Sequence, residues 1–487
     1  MPKKAISSAR RPKTADAPAT SSARRPKTAD APATSSARRP KTADKPATSS
    51  ARRPAPATSS AKRPSAKSTT ASRMLDFIDA SPTCFHVVAN LKEQLTANGF
   101  TELSEAKEWK LKPGDYFVTR NDSSIISFRI PKKDFVGFNM IASHSDSPSF
   151  KIKENPEMAA AGAYIKLNVE KYGGMLCAEW FDRPLSVAGR LVISQKGEIV
   201  TKLVNIDRDL LMIPALAIHM NREANDGYKY NAQSDMLPVF GDADSEAMFF
   251  DLIASAASVK AGDILGHDLF LYNRVKPTFW GASEEYISSS RLDDQECVYT
   301  SFEGFLNSRA KENVAVHCVF DNEEVGSGTK QGADSTFLKD TLTRINDSLG
   351  RTREQYYTAV ANSFMISADN AHAVHPNHPD KADPVNRPVM NKGIVIKYNG
   401  NQKYTTDAVS AARFKLLCEK AGVPYQTFVN RSDMAGGSTL GNISTAQVSV
   451  STVDIGLAQL AMHSPYESAG SKDPEYMALV SEVFYSE

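Results

Sequence analysis

Five short segments hold the residues whose types and spacing can do chemistry. The first is His144-Ser145-Asp146, after an apolar run at 136–142. An imidazole can ligate a metal through one nitrogen while a carboxylate two residues on holds the other and fixes the tautomer. The second, Ser290-Arg291-Leu292-Asp293-Asp294, sets two acids side by side in a loop. A carboxylate so placed can bridge two cations, one oxygen to each. The third is Asp321-Asn322-Glu323-Glu324-Val325-Gly326, after the apolar run 314–320. A glycine-rich turn at a strand end lets both glutamates face one cavity. One can ligate while the other takes a proton from water. The fourth segment runs from Asp369 through His372 to His375, and the fifth centres on His463, read as lying beside a helical segment. Taken singly, each has an ordinary explanation: a surface acidic turn, a helix cap, a core histidine. Taken together they are imidazoles and hard oxygens drawn from distant strand ends, a set that suits Zn²⁺, Co²⁺ or Mn²⁺.

Regular elements must carry these groups to one place. Periodicity predicts helices over 74–80 and 83–98, the second with Phe85, Val88, Leu91 and Leu95 on one face and Gly99 as its stop. Strands are expected over 125–130, 136–142, 314–320, 425–429 and 448–453. A helix over 407–421 ends at Gly422, and another closes the chain from 474. This alternation points to an α/β sandwich. The stretch 156–282 is richer in short β-like segments, such as 190–194 and 199–204, and reads as an inserted domain. The expected organisation is 1–73 tail, 74–155 and 283–487 catalytic domain, and 156–282 insert.

Charge divides the chain. Residues 1–73 hold 18 Lys/Arg against 3 Asp/Glu, and the remainder 40 against 53. Ser-Ser-Ala-Arg-Arg-Pro-Lys-Thr-Ala-Asp starts at Ser7, Ser21 and Ser35. Such a segment has almost no large apolar residues to offset ordering entropy, so it reads as disordered. It could neutralise phosphates of a nucleic acid or another polyanion. The competing explanation is a solvated tail without a partner. No long apolar run predicts a membrane span, and no apolar h-region predicts a secretory signal. Five scattered cysteines, Cys84, Cys177, Cys297, Cys318 and Cys418, form no CxxC. Reduced thiols and a cytoplasmic protein are expected.

The five segments, in this order, resemble the aspartyl aminopeptidase family of dinuclear-metal exopeptidases. The resemblance also covers Phe77-Ile78-Asp79-Ala80-Ser81-Pro82-Thr83, Trp180-Phe181-Asp182-Arg183-Pro184-Leu185 and Ile213–His219. It implies a three-layer α/β/α metallopeptidase domain with an inserted β-rich dimerisation domain. It also implies two divalent ions, zinc first, with cobalt or manganese as alternatives. One would be held by His144, Asp293 and Asp369, the other by Asp293, Glu324 and His463. Glu323 would be the general base, with Asp146 behind His144. His372 and His375 would contact substrate, His219 would reach a neighbouring subunit's site, and Lys397 would pair with an acidic substrate side chain. A homo-oligomer, a dodecamer built from dimers, is implied as well. Two departures mark a bacterial-type member: Asp294 replaces Asn, and Ser432-Asp433-Met434-Ala435-Gly436-Gly437-Ser438 replaces an Asn-Asp-Thr-Pro-Cys-Gly type of segment.

The expected activity is hydrolysis of the N-terminal residue, Asp or Glu, from peptides. A broad-specificity aminopeptidase, a metal-dependent deacylase and a polyanion-binding protein on an enzyme scaffold are the rival readings.

Overall fold

The structure, a computed structural model, describes residues 69–487. The tail reading of 1–68 lies outside the described residues. Its boundary at 73 is corrected: a helix spans Thr70–Asp79, and the Thr69 side chain accepts the Ser72 N–H at its N-terminus. Thr70 and Arg73 both bond the Glu303 carboxylate, so these residues are part of the packed body. The second helix, Cys84–Ala97, starts one residue after Thr83.

A nine-stranded mixed sheet is the spine. In spatial order its strands are Thr101–Leu103, Gly114–Arg120, Ser124–Ile130, Val314–Phe320, Phe138–His144, Phe364–Ala368, Ser451–Gly456, Ile394–Tyr398 and Tyr425–Val429. The central strands read as continuous apolar runs because both faces are covered. On one face Ala315, Val319, Ile141, Ile366, Ile396 and Ile455 pack against helices Thr70–Asp79, Cys84–Ala97, Leu292–Asn307, Ala408–Ala421 and Asp473–Tyr485. On the other, Val314, Val316, Cys318, Met140 and Met365 meet Phe337–Ser348 and Leu440–Gln447. This is the expected three-layer sandwich. All five cysteines are free. Among the described residues no helix is long and apolar enough to cross a membrane.

Two further sheets frame the site. A six-stranded sheet, antiparallel throughout, begins at Ser149 and ends at Asn273. A five-stranded sheet joins Thr278–Trp280, Tyr286–Ser289, Glu467–Gly470, Ala458–Leu460 and Ala371–His372. Its strands are too short for periodicity to announce them. The sheet also corrects the setting of His463, which sits in a turn between Ala458–Leu460 and Glu467–Gly470 rather than beside a helix. Ala461 and His463 there have φ of 56° and 67°, left-handed values that break a helix.

Candidate metal centre

Parallel register brings the ligand-type residues together. Val314–Phe320, Phe138–His144 and Phe364–Ala368 run parallel, with Phe320 opposite His144. Their carboxyl ends therefore share one edge, where sites in open α/β sheets form. His144 ends the central strand of the three. Glu323 and Glu324 follow Phe320, and Asp369 follows Ala368. Asp293 and Asp294 enter from the start of helix Leu292–Asn307, where both depart from helical φ/ψ.

Asp293 is the hub. Its Oδ1 lies 3.5 Å from His144 Nε2 and its Oδ2 lies 3.6 Å from His463 Nε2. Glu324 Oε2 lies 3.5 Å from the same His463 nitrogen. These separations are long for hydrogen bonds. Two donors that share one ion at ~2.0–2.2 Å stand roughly 3.3 Å apart. Three overlapping groups have donor atoms within 4.8 Å of one another: His144, Asp293, Asp294 and Asp369; Asp293, Glu324 and His463; and His144, Glu323 and Glu324.

The residues fit a cation. Asp293 Oδ1, Asp294 Oδ1 and Glu324 Oε1 are buried without a hydrogen-bond partner. Orphaned carboxylate oxygens at such depth are costly unless a positive charge meets them. Burial first, then mutual repulsion among the acids, drives the Glu324 and Asp294 carboxyls well above the usual range. The same causes push Glu323 up to about 8, against the opposing charge of His144. Burial also opposes ionisation of Asp293, yet the two flanking histidines hold it below its ordinary value.

The supporting contacts are specific. Asp146 receives His144 Nδ1 through its carbonyl oxygen at 3.1 Å, with Oδ1 at 3.3 Å. Nε2 is thereby left facing the acids. The same carboxylate accepts the backbone N–H groups of Glu323 and Glu324 at 3.1 and 3.2 Å. Glu467, buried, accepts the Asp293 N–H at 3.0 Å and the His463 N–H at 2.8 Å. It thus ties two acid-binding loops to the five-stranded sheet. Sequence reasoning missed Glu467, although it stands four residues past His463. Asp294, named in the sequence as one of two adjacent acids and as a departure from Asn but given no ligand role, belongs here to the densest ligand group, and its Oδ2 accepts the His144 N–H at 3.1 Å.

A family model for "Aminopeptidase I zinc metalloprotease (M18)" matches residues 77–485. The chain belongs to this family. It is 49% identical to a probable M18 family aminopeptidase 2 of Clostridium acetobutylicum over 426 residues, 85% of this chain and 98% of that one. Identity to a Pseudomonas aeruginosa relative of the same description is 41%, over 85% of this chain and 97% of the other. Among solved structures, Ape4 in complex with Nbr1 superposes with a TM-score of 0.83 at 38% identity, over 86% of this chain and 85% of that one. The Saccharomyces mApe1 dodecamer gives 0.76 at 28%, over 86% and 96%. This M18 chain is accordingly a metallo-aminopeptidase, a hydrolase of peptide bonds.

Within the M18 frame, the structure gathers His144, Asp146, Asp293, Glu323, Glu324, Asp369 and His463. His372 ends the short strand Ala371–His372 with part of its surface open to solvent, while protein crowds the rest of the ring; that desolvation, then the Lys397 charge, lowers its pKa. His375 is exposed and pairs with the His378 ring at 5.1 Å. His219 is exposed on a loop of the 149–273 region. Among the described residues neither His219 nor His375 bonds to the cluster. Lys397 lies behind Asp369, with its ammonium 3.8 Å from Asp369 Oδ2. It is 2% exposed, and its ammonium donates to the carbonyl oxygens of Asp369 and Asn370 at 2.7 and 3.3 Å.

Proposed function

We propose that this M18 enzyme is a dinuclear-metal aminopeptidase that prefers acidic N-terminal residues. One observation carries the dinuclear reading: the two oxygens of Asp293 face different histidines, His144 and His463. On this reading His144, Asp293 and Asp369 hold one ion, and Asp293, Glu324 and His463 the other. Divalent ions there, zinc or else cobalt or manganese, supply a Lewis acid and a more acidic water. Glu323 accepts the proton of the attacking water and hands it to the leaving amine. Its half-buried carboxyl is kept at the cluster by Asp146, which holds its backbone N–H. Asp146 also keeps the His144 ring in one tautomer. The surrounding acids attract the substrate's free α-ammonium, which confines cleavage to N-termini.

The acidic preference rests on Lys397, whose Nζ lies 3.8 Å from Asp369 Oδ2 beside the cluster. Two of its N–H groups are already engaged by carbonyls, so a modest preference follows, about tenfold in kcat/KM. His372 and His375 are assigned to substrate contact from the rim. Leu216, Ile218 and Met220 are exposed around His219, which favours an interface with a second copy. The mApe1 dodecamer supports an assembly of that order. Within it, we assign His219 to a neighbour's site and 156–282 to the dimer contact, and place the enzyme in the cytoplasm. The basic repeats of 1–68 are assigned non-specific polyanion contact.

The test combines metal counting with a panel of Asp-, Glu-, Leu- and Lys-amides and their N-acylated forms. Two ions per chain and turnover of free-amino acidic substrates support the reading. One ion per chain, or preference for acylated substrates, would overturn it. Equal rates on all four amides would leave a broad-specificity aminopeptidase.

A further inference from the structure

The six-stranded sheet reaches into the metal centre through one short segment. Antiparallel register sets Tyr172, the last residue of the strand Tyr164–Tyr172, opposite Ser149. Ser149 follows Asp146 by three residues, so the Tyr172 ring lands beside Asp146. Its hydroxyl donates to Asp146 Oδ2 at 2.6 Å. The same hydroxyl accepts Asn322 Nδ2 at 2.9 Å. That direction is fixed, because the Asn322 Oδ1 already accepts Thr329 and Gln331 at 2.8 Å each. Tyr172 therefore bonds the carboxylate that holds the Glu323 and Glu324 amides, and also the residue that opens their turn.

The next residues continue the contact. Gly173 has φ +75°, and a Cβ there would stand 3.1 Å from Glu324 Cβ. A Cβ on Gly174 would stand 3.8 Å from His463 Nδ1. Leu176 N–H donates to the His463 carbonyl oxygen at 3.1 Å. Tyr172, Gly173, Gly174 and Leu176 thus all approach Asp146, Glu324 or His463.

We propose that residues 172–176 form a positioning clamp through which the six-stranded sheet sets the place of Glu323, Glu324 and His463. Tyr172 is the positioning residue of the Glu323–Glu324 turn, and Gly173 is the spacer that lets Glu324 and His463 meet. The proposal rests on the dinuclear aminopeptidase reading for its effect on turnover, but not for its effect on the turn.

The experiment uses the full-length, metal-loaded protein with Tyr172→Phe, Tyr172→Leu and Gly173→Ala. Kinetics, metal content and amide exchange over 320–327 are measured for each. Removing the hydroxyl alone is expected to lower kcat about tenfold, with KM within about twofold and metal content unchanged. Exchange of the 320–327 amides should rise about five- to tenfold in the same variant. Gly173→Ala should weaken binding of one metal equivalent and leave the other. A role in packing alone gives a different pattern, since the ring also meets Phe270 edge-on at 5.5 Å. In that case Tyr172→Phe matches wild type in kcat and exchange, only Tyr172→Leu falls, and the proposal is overturned. Unchanged binding of both metals in Gly173→Ala overturns the spacer role. If wild type itself cleaves no amide, the functional reading fails while amide exchange still decides the clamp.

Discussion

The Lys397 ammonium lies 2.7 Å from the carbonyl oxygen of Asp369, the residue whose carboxylate joins the metal cluster. The lysine therefore fastens the chain just behind a candidate ligand, and Tyr404 covers it with its ring 5.2 Å away. Lys397→Met would leave two buried carbonyls without their donor. Each such group costs about 1–3 kcal/mol. The expected result is a clear fall in Tm, weaker metal retention and a loss of the acidic preference. Thermal unfolding and kcat/KM on Asp- and Leu-amides check it. A variant as stable as wild type with an unaltered preference would remove both roles from Lys397.

Chelation should abolish activity, and Zn²⁺, Co²⁺ or Mn²⁺ should restore it. It should also lower Tm, because an ion that binds only the folded state stabilises it by mass action. The orphaned oxygens of Asp293, Asp294 and Glu324 make this loss larger than a surface site would give. Calorimetry before and after dialysis against chelator measures it.

Glu323→Gln keeps the shape of the side chain and removes the proton acceptor. Its backbone N–H remains on Asp146, so the turn should hold. Turnover is expected to fall by about 10²–10⁴ with both metals retained. Near-normal kcat in the metal-replete variant would move the base elsewhere.

The sheet was legible where burial on both faces writes a continuous apolar run. Residues 314–320 and 425–429 are strands with the bounds their side chains announce. The helix over 407–421 was legible from its ends: Asp407 caps Val409 and Ser410, and Gly422 closes it at φ +69°. The insert was less legible. Its sheet opens at Ser149, because the strand Ser149–Ala160 runs through the polar stretch Lys153-Glu154-Asn155-Pro156 instead of starting after it. The candidate ligands could be picked out because each sits in a short, chemically recognisable segment, directly after a strand for Glu323, Glu324 and Asp369 and at its last residue for His144. Glu467 and Tyr172 could not, since they act on residues more than a hundred positions away, or through a sheet of two- to four-residue strands. Alternation put Lys397 beside Val395, yet no pattern shows that backbone carbonyls await its ammonium.

Without metal, the pH dependence of stability should be inverted at this site. Burial and neighbouring acids raise Glu323 to about 8 and Asp321 to about 7. The unfolded chain releases these protons near pH ~4. Between about pH 4 and 8 the folded state therefore binds more protons than the unfolded one, and stability falls as pH rises. Bound divalent ions favour the ionised carboxylates and should flatten or reverse the slope. Urea midpoints at pH 5, 6, 7 and 8, with and without metal, test this. Metal-free protein that gains stability over this window would contradict the buried-acid account.

Deleting residues 1–68 should leave fold and peptidase activity unchanged, since the repeats offer almost no large apolar side chains to a core. Deleting 1–73 should not. It removes the first turn of the helix Thr70–Asp79, including the Thr69 cap, whose loss typically costs ~1 kcal/mol. It also removes Arg73, whose guanidinium bonds both oxygens of Glu303 at 2.6 and 3.0 Å, and Thr70, which bonds Glu303 at 3.0 Å. Glu303 is then left on helix Leu292–Asn307, the helix that starts with Asp293 and Asp294. The longer deletion should therefore lower Tm by several degrees and weaken metal retention, while the shorter one matches the full chain in both. If the tail contacts polyanions, the shorter deletion should also abolish salt-sensitive binding to a non-specific duplex. Equal Tm for the two deletions would show that the first helical turn adds nothing to the centre.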